Sequence, residues 1–80
     1  MREISRNELR SGMCIMEFGH YNKDRWWIGI VNKDGRMVLI STNNKQDKTS
    51  INKIVPIFSK TTLYEINKNE IDNAIMVASI

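Results

Sequence analysis

The segments RWWIGIV (25–31), NKDGR (32–36) and MVLIS (37–41) predict one β-hairpin, which organises the rest of the chain. Both arms are rich in β-branched and aromatic residues, which favour a pleated, partly buried backbone. Asp34-Gly35 offers the positive φ angles that tight hairpin turns require. Because five residues separate the arms, we expect a bulge or a four-to-five-residue loop rather than a two-residue turn.

Further strands are predicted on both sides of this hairpin. The apolar segments that suggest them are 1–4, 13–18, 51–58 and 61–66. Pro56 interrupts the third segment. Because proline has no N–H to donate to a neighbouring strand, that strand should lie at a sheet edge or end there. The polar segment 41–50 is expected to be a mobile surface loop.

Two interpretations of the C-terminal segment remain open. The preferred one is a helix, with Asn69 as the N-cap. Its apolar stripe at helical spacing consists of Ile71, Ala74, Ile75 and Ala78. The alternative is a terminal strand, because Ile75, Val77 and Ile80 alternate with other residues.

These elements predict a mainly β fold with one C-terminal helix, forming a single domain over residues 1–80. The expected architecture is a small antiparallel barrel, SH3-like in form, or a curved sheet of four or five strands. The helix would cover a face that so small a sheet leaves open.

Part of the chain resembles the KOW and SH3-like small-barrel families. The resemblance lies in LRSG (9–12) before a strand, Gly19 opening a loop, and GIV (29–31) before a charged turn, within residues 9–40. It implies binding to RNA, DNA or a protein of the transcription or translation machinery. The loop between Gly19 and Gly29 is longer than in those families, and Trp26-Trp27 is not part of their motif.

Composition narrows the classes of function. The 80 residues carry a net charge of +3, which is compatible with a polyanionic partner. So short a chain has little scaffold for a large catalytic cleft, so we expect no enzyme and no cofactor. Cys14 and His20 are single residues of their types and cannot supply the four ligands of a structural zinc site, so no metal is expected.

The same features bear on location. One cysteine cannot form a disulfide within the chain, which favours a reducing compartment. The N-terminus lacks the pattern of a signal peptide, and no apolar run approaches the roughly 20 residues of a membrane span. A cytoplasmic protein without membrane contact is expected.

The adjacent tryptophans are the most informative residues for function. Neighbouring strand residues point to opposite faces of a sheet. Trp26 aligns with Ile28 and Ile30 and should face the core, whereas Trp27 should share the other face with Arg25 and a side-chain-free floor at Gly29. Packing of Trp27 under the C-terminal helix is the alternative interpretation.

An exposed Trp27 would form an aromatic platform beside basic loops. The predicted contact residues for a nucleic acid or partner protein are Tyr21, Arg25, Trp27, Arg36, Lys45 and Lys48. Aromatic rings can stack on bases while cations contact phosphates. We therefore expect a small module that binds RNA or DNA. The alternative is a regulator or inhibitor, of phage or mobile-element origin, that binds a host protein through the same surface.

Overall fold

A computed structural model describes residues 1–78 as an antiparallel sheet of six strands with one short C-terminal helix. The strands are β1 (Arg2–Ile4), β2 (Cys14–Phe18), β3 (Trp26–Val31), β4 (Met37–Thr42), β5 (Ile54–Val55) and β6 (Thr62–Glu65), and the helix is α1 (Ile71–Ala78). Their order across the sheet is β1-β6-β2-β3-β4-β5. The mainly β fold with a C-terminal helix is confirmed. The strand number of four or five was too low, because β1 and the two-residue β5 both pair with the sheet.

The hairpin lies at the centre of this sheet as predicted. β3 pairs with β4, and the connecting loop spans residues 32–36. Asn32 closes the loop at both ends: its N–H donates to the Arg36 carbonyl at 2.8 Å, and its Oδ1 accepts from the Asp34 and Arg36 amides. Gly35 has a φ of 75°, the left-handed conformation that glycine adopts without steric cost.

The sheet has buried side chains on both faces. One group, here called the inner core, consists of Ile4, Ile15, Trp27, Val31, Met37, Leu39 and Leu63. The other, here called the helix core, consists of Cys14, Met16, Trp26, Ile28, Ile66 and Ala74. Because successive strand residues alternate between faces, the near-continuous apolar runs of β2 and β3 supply both groups.

Curvature of the sheet closes the inner core. Ile4 comes from edge strand β1, and Val55 from β5 at the opposite edge, yet both pack against the same group of buried residues. β5 ends immediately before Pro56, so the predicted edge position and termination of that strand are confirmed. The sheet is open and curved.

Helix α1 covers the opposite face. Ala74 is buried in the helix core, and Ile71, Ile75 and Ala78 pack against it, so the predicted apolar stripe is confirmed. A short 3-10 helix (Lys68–Glu70) precedes α1 and begins one turn earlier than expected, with Asn67 as the N-cap. Ile75 and Val77 belong to this helix, whereas Ile80 of the competing strand interpretation lies outside the described residues.

The polar segment after β4 is a structured element rather than an irregular loop. Strand β4 continues to Thr42, whose hydroxyl donates to the Trp26 carbonyl at 2.8 Å, and a 3-10 helix spans Lys45–Ser50. Asn44 caps this helix by accepting from the Gln46 amide and donating to Asp47. Polar side chains that satisfy backbone groups replace the apolar contacts that the segment lacks.

Candidate functional site

The structure brings most of the predicted contact residues to one end of the hairpin. Tyr21 and Arg25 are exposed on the loop that leads into β3. Lys45 and Lys48 are exposed on the 3-10 helix that follows β4. Asn43 joins these two segments: it accepts from the Trp26 amide at 2.8 Å and donates to the Asp24 carbonyl at 2.7 Å.

Arg36 lies at the opposite end of the hairpin. Val31 pairs with Met37 next to the loop that carries Arg36, whereas Trp27 pairs with Thr42. A strand rises about 3.3 Å per residue, so the two ends of β3 are separated by roughly 17 Å. The structure therefore separates Arg36 from the other predicted contact residues.

The predicted exposure of Trp27 is wrong. Its side chain is 9% exposed and belongs to the inner core, not to a surface platform and not to the helix core. Its indole N–H donates to Asp47 Oδ2 at 2.8 Å. The 3-10 helix and Phe58 cover the face that was expected to be open, and the Phe58 ring lies 6.2 Å from the Trp27 ring between centroids.

Gly29 is not an open floor beside that ring. A Cβ atom built on Gly29 would lie 2.7 Å from the Val38 carbonyl oxygen and 2.8 Å from Met37 Sδ. The space is therefore filled by the neighbouring strand. The register between β3 and β4 also shifts between Ile28 and Gly29, where a residue without a side chain accommodates the bulge.

A surface depression of about 350 Å³, here called the outer pocket, lies between loops 19–25 and 58–61. Trp27 forms part of its floor, and Tyr21 and Phe58 offer apolar rings that are 91% and 51% exposed. Its basic residues are Arg25 and Lys60. Among the described residues that line it, none is acidic. The pocket therefore combines aromatic surface with positive charge.

Backbone hydrogen bonds shape the first loop of the outer pocket. The Gly19 amide donates to the Arg25 carbonyl at 3.0 Å, and the Arg25 amide donates to the Asn22 carbonyl at 3.2 Å. A Cβ on Gly19 would lie 2.3 Å from the Asn22 carbonyl oxygen, so the loop requires glycine there. The His20 ring meets the Tyr21 ring edge-to-face at 4.7 Å.

Side chains from distant parts of the chain hold the second loop. The Arg6 guanidinium donates to the carbonyls of Phe58 and Thr61 and to the Thr61 hydroxyl. From the other side, Glu17 Oε2 accepts from the Phe58 amide at 2.9 Å and from the Thr61 hydroxyl. These contacts fix the backbone that presents Phe58 and Lys60.

Glu17 is the residue that sequence reasoning missed. Its alternation with Ile15 was visible in β2, but a glutamate on that face indicated exposure. The structure buries it completely, between the inner core and loop 58–61. Burial raises the pKa of the Glu17 carboxyl, and the opposing effects of Thr61, the Phe58 amide and Arg6 are smaller.

The raised pKa of Glu17 predicts a pH dependence of stability. In the unfolded chain this carboxyl titrates near 4.5. Between that value and the higher folded pKa, the folded protein keeps a proton that the unfolded chain has lost. This stabilising contribution is complete below the unfolded pKa and disappears as the pH rises through the folded pKa.

Urea denaturation of wild type and Glu17→Gln at several pH values measures this effect. Gln does not titrate, so we expect the wild type to lose stability relative to Glu17→Gln as the pH rises above 4.5. Glu3→Gln, at an exposed position in β1, is the matched control and should parallel the wild type. A wild type whose stability keeps a constant offset from that of Glu17→Gln throughout would contradict the assignment.

A second and more enclosed space, here called the inner cavity, lies behind Phe58. It has a volume of about 200 Å³. Its lining residues are Glu17, Trp27, Met37, Leu39, Asp47, Ser50, Val55, Pro56 and Phe58. Glu17 Oε1 is buried without a hydrogen-bond partner among the described residues. The two spaces share Trp27 and Phe58 as walls but differ in charge.

Cys14 and His20 do not form a reactive pair. Cys14 is buried in the helix core, where burial raises the pKa of its thiol, whereas His20 lies exposed on the outer pocket. Within residues 1–78 no group of three or more His, Cys, Asp or Glu side chains could hold a metal ion. No helix in that range is long and apolar enough to cross a membrane.

Comparison with known proteins adds no relative from which a function could be transferred. No protein-family model, curated protein sequence or solved structure matches the chain. The arguments about function below therefore rest on the residues and geometry of the outer pocket and the inner cavity.

Proposed function

We propose that this protein is a non-enzymatic module that binds single-stranded RNA or DNA at the outer pocket. The observation that supports the proposal is the combination of exposed rings at Tyr21 and Phe58 with the cations Arg25 and Lys60, in a lining without acidic residues. Rings offer stacking surface to any base, and cations offer contacts to phosphate. The proposal moves the aromatic platform from Trp27 to its exposed neighbours.

The surroundings extend the positive surface. Lys45 and Lys48 are exposed on the adjacent 3-10 helix, and Lys23 is exposed on the first loop. The nearby Asp47 is engaged with the Trp27 indole and the Asn44 amide, which offsets part of its charge locally. A flexible single strand can lay its phosphates along these lysines while a base occupies the outer pocket.

The test is a fluorescence-anisotropy titration with labelled single-stranded RNA and DNA oligonucleotides, begun at low salt. Tyr21→Ala and Phe58→Ala should each weaken binding at every salt concentration by about 1–3 kcal/mol, the contribution of one stacked base. Both side chains are largely exposed, so neither change should unfold the protein. Melting curves recorded alongside check this.

A charge-matched pair of double variants locates the site. Arg25→Ala with Lys60→Ala removes one arginine and one lysine at the outer pocket, and Lys33→Ala with Arg36→Ala removes the same charges at the far end of the hairpin. The first pair should lower the salt dependence by roughly 1.4 in log–log slope, about 0.7 per lost phosphate contact on a single strand. The second pair should change the slope little. Removing Lys45 and Lys48 together should weaken binding to all sequences.

Each outcome discriminates. Equal effects of the two double variants would place Arg36 back in the contact surface and remove the outer pocket as the site. Absence of binding at low salt, where the electrostatic contribution is greatest, would reject nucleic acid and leave the protein-binding regulator as the remaining hypothesis. The resemblance to KOW and SH3-like domains and a cytoplasmic location stay predictions.

A further inference from the structure

The inner cavity contains a buried acceptor that no side chain uses. Glu17 is 0% exposed; its Oε2 accepts two hydrogen bonds, whereas its Oε1 has no partner among the described residues. Buried polar oxygens are nearly always paired, and an unpaired one in a folded protein points to a missing donor. Glu17 lines a cavity of about 200 Å³, far larger than the roughly 30 Å³ of a water molecule.

The charge of the lining selects the kind of donor. Asp47 also lines the inner cavity, and none of the described lining residues is basic. Arg6 lies close enough to influence Glu17, but its hydrogen bonds go to Phe58 and Thr61. A buried carboxylate is stabilised by a cation that donates to it. The cavity is therefore complementary to a positively charged donor.

The remaining walls distinguish an organic cation from a metal ion. Met37, Leu39 and Val55 present apolar surface, whereas Ca²⁺ or Mg²⁺ requires about six oxygen ligands. An alkylammonium group satisfies both parts of the lining: its –NH₃⁺ donates to a carboxylate, and its methylene chain packs on apolar side chains.

We propose that the inner cavity is a binding site for a primary alkylammonium group, with Glu17 Oε1 as its acceptor. The group enters beside Phe58 and Asp47, which lie at the partly exposed margin. A free amine and the side chain of a lysine share this chemistry. The site is separate from nucleic-acid binding at the outer pocket, and each can fail without the other.

Two-dimensional amide NMR with n-butylammonium chloride at mildly alkaline pH tests this assignment. We expect saturable shifts of the Phe58 amide and of the Trp27 indole N–H, which line the cavity. The Trp26 indole lies in the helix core and is an internal control that should not shift. n-Butanol has the same chain without the charge and should bind at least tenfold more weakly.

Variants identify the acceptor. Glu17→Gln should weaken butylammonium binding at least tenfold, whereas Glu3→Gln, outside the cavity, should bind as the wild type does. If Glu17→Gln fails to fold, the comparison of butylammonium with butanol on the wild type still decides the question. Equal binding of the two ligands, or no saturable shift at tens of millimolar butylammonium, would overturn the proposal.

The source of the group is assigned by a second ligand. An Nα-acetyl-lysine amide that binds at least as tightly as butylammonium assigns the site to a lysine side chain of a peptide. Binding of butylammonium alone assigns it to a free amine. Both results support the site, and failure of both ligands rejects it.

Discussion

Trp27→Ala is expected to lower the free energy of unfolding by about 3–5 kcal/mol, and Trp26→Ala by a similar amount. Trp26 and Trp27 are 3% and 9% exposed, and each fills a different core. Truncation leaves a large cavity on one face of a thin sheet, and loss of Trp27 also removes the hydrogen bond to Asp47. For a domain of 80 residues, such a loss is comparable with the whole stability.

Equilibrium urea denaturation measures both changes. Tyr21→Ala removes an aromatic ring that is 91% exposed and should alter stability by less than about 0.5 kcal/mol. If Trp27→Ala matched Tyr21→Ala rather than Trp26→Ala, Trp27 would be exposed in solution and the inner core would be assigned wrongly.

Ala74→Asp should be the most damaging single change in α1. Ala74 is 7% exposed and packs in the helix core, so the substitution places an unpaired carboxylate among apolar side chains. Burying an unpaired charge costs about 3–5 kcal/mol, unless the helix detaches and exposes the core instead. Both responses lower the denaturation midpoint and increase the binding of a hydrophobic dye.

Val77→Asp is the matched control, since Val77 lies in the same helix and is 56% exposed. Its effect should stay within about 0.5 kcal/mol. Deletion of residues 71–80 should resemble Ala74→Asp, with unfolding or aggregation. A truncated chain that remains folded and monomeric, or an Ala74→Asp variant as stable as Val77→Asp, would show that α1 is dispensable.

Local patterns predicted most elements of the fold. The hairpin follows from β-branched arms and Gly35, and α1 follows from a stripe whose members all pack on one core. The end of β5 follows from Pro56. Each of these features depends on residues close in sequence, which is why a single sequence contains the information.

The covering of the second face could not be predicted in this way. Alternation shows that Trp26 and Trp27 face opposite sides, but burial of Trp27 depends on Asp47 and Phe58, which are 20 and 31 positions further along the chain. Glu17 was hidden for the same reason, since its partners at Phe58 and Thr61 come from a distant loop. Long-range contacts therefore decided which part of the predicted surface is accessible.

The adjacent tryptophans also provide two optical reporters. Replacing one with phenylalanine leaves a single indole fluorophore, which lies in the inner core if Trp27 remains and in the helix core if Trp26 remains. The two cores have the backbone of β2 and β3 as their common wall, so loss of that wall removes support from both at once. Coincident emission changes would mark one cooperative transition, whereas an earlier change at Trp26 would mark a helix that leaves the sheet first. Two neighbouring residues thus allow the order of events on opposite faces to be followed without an added label.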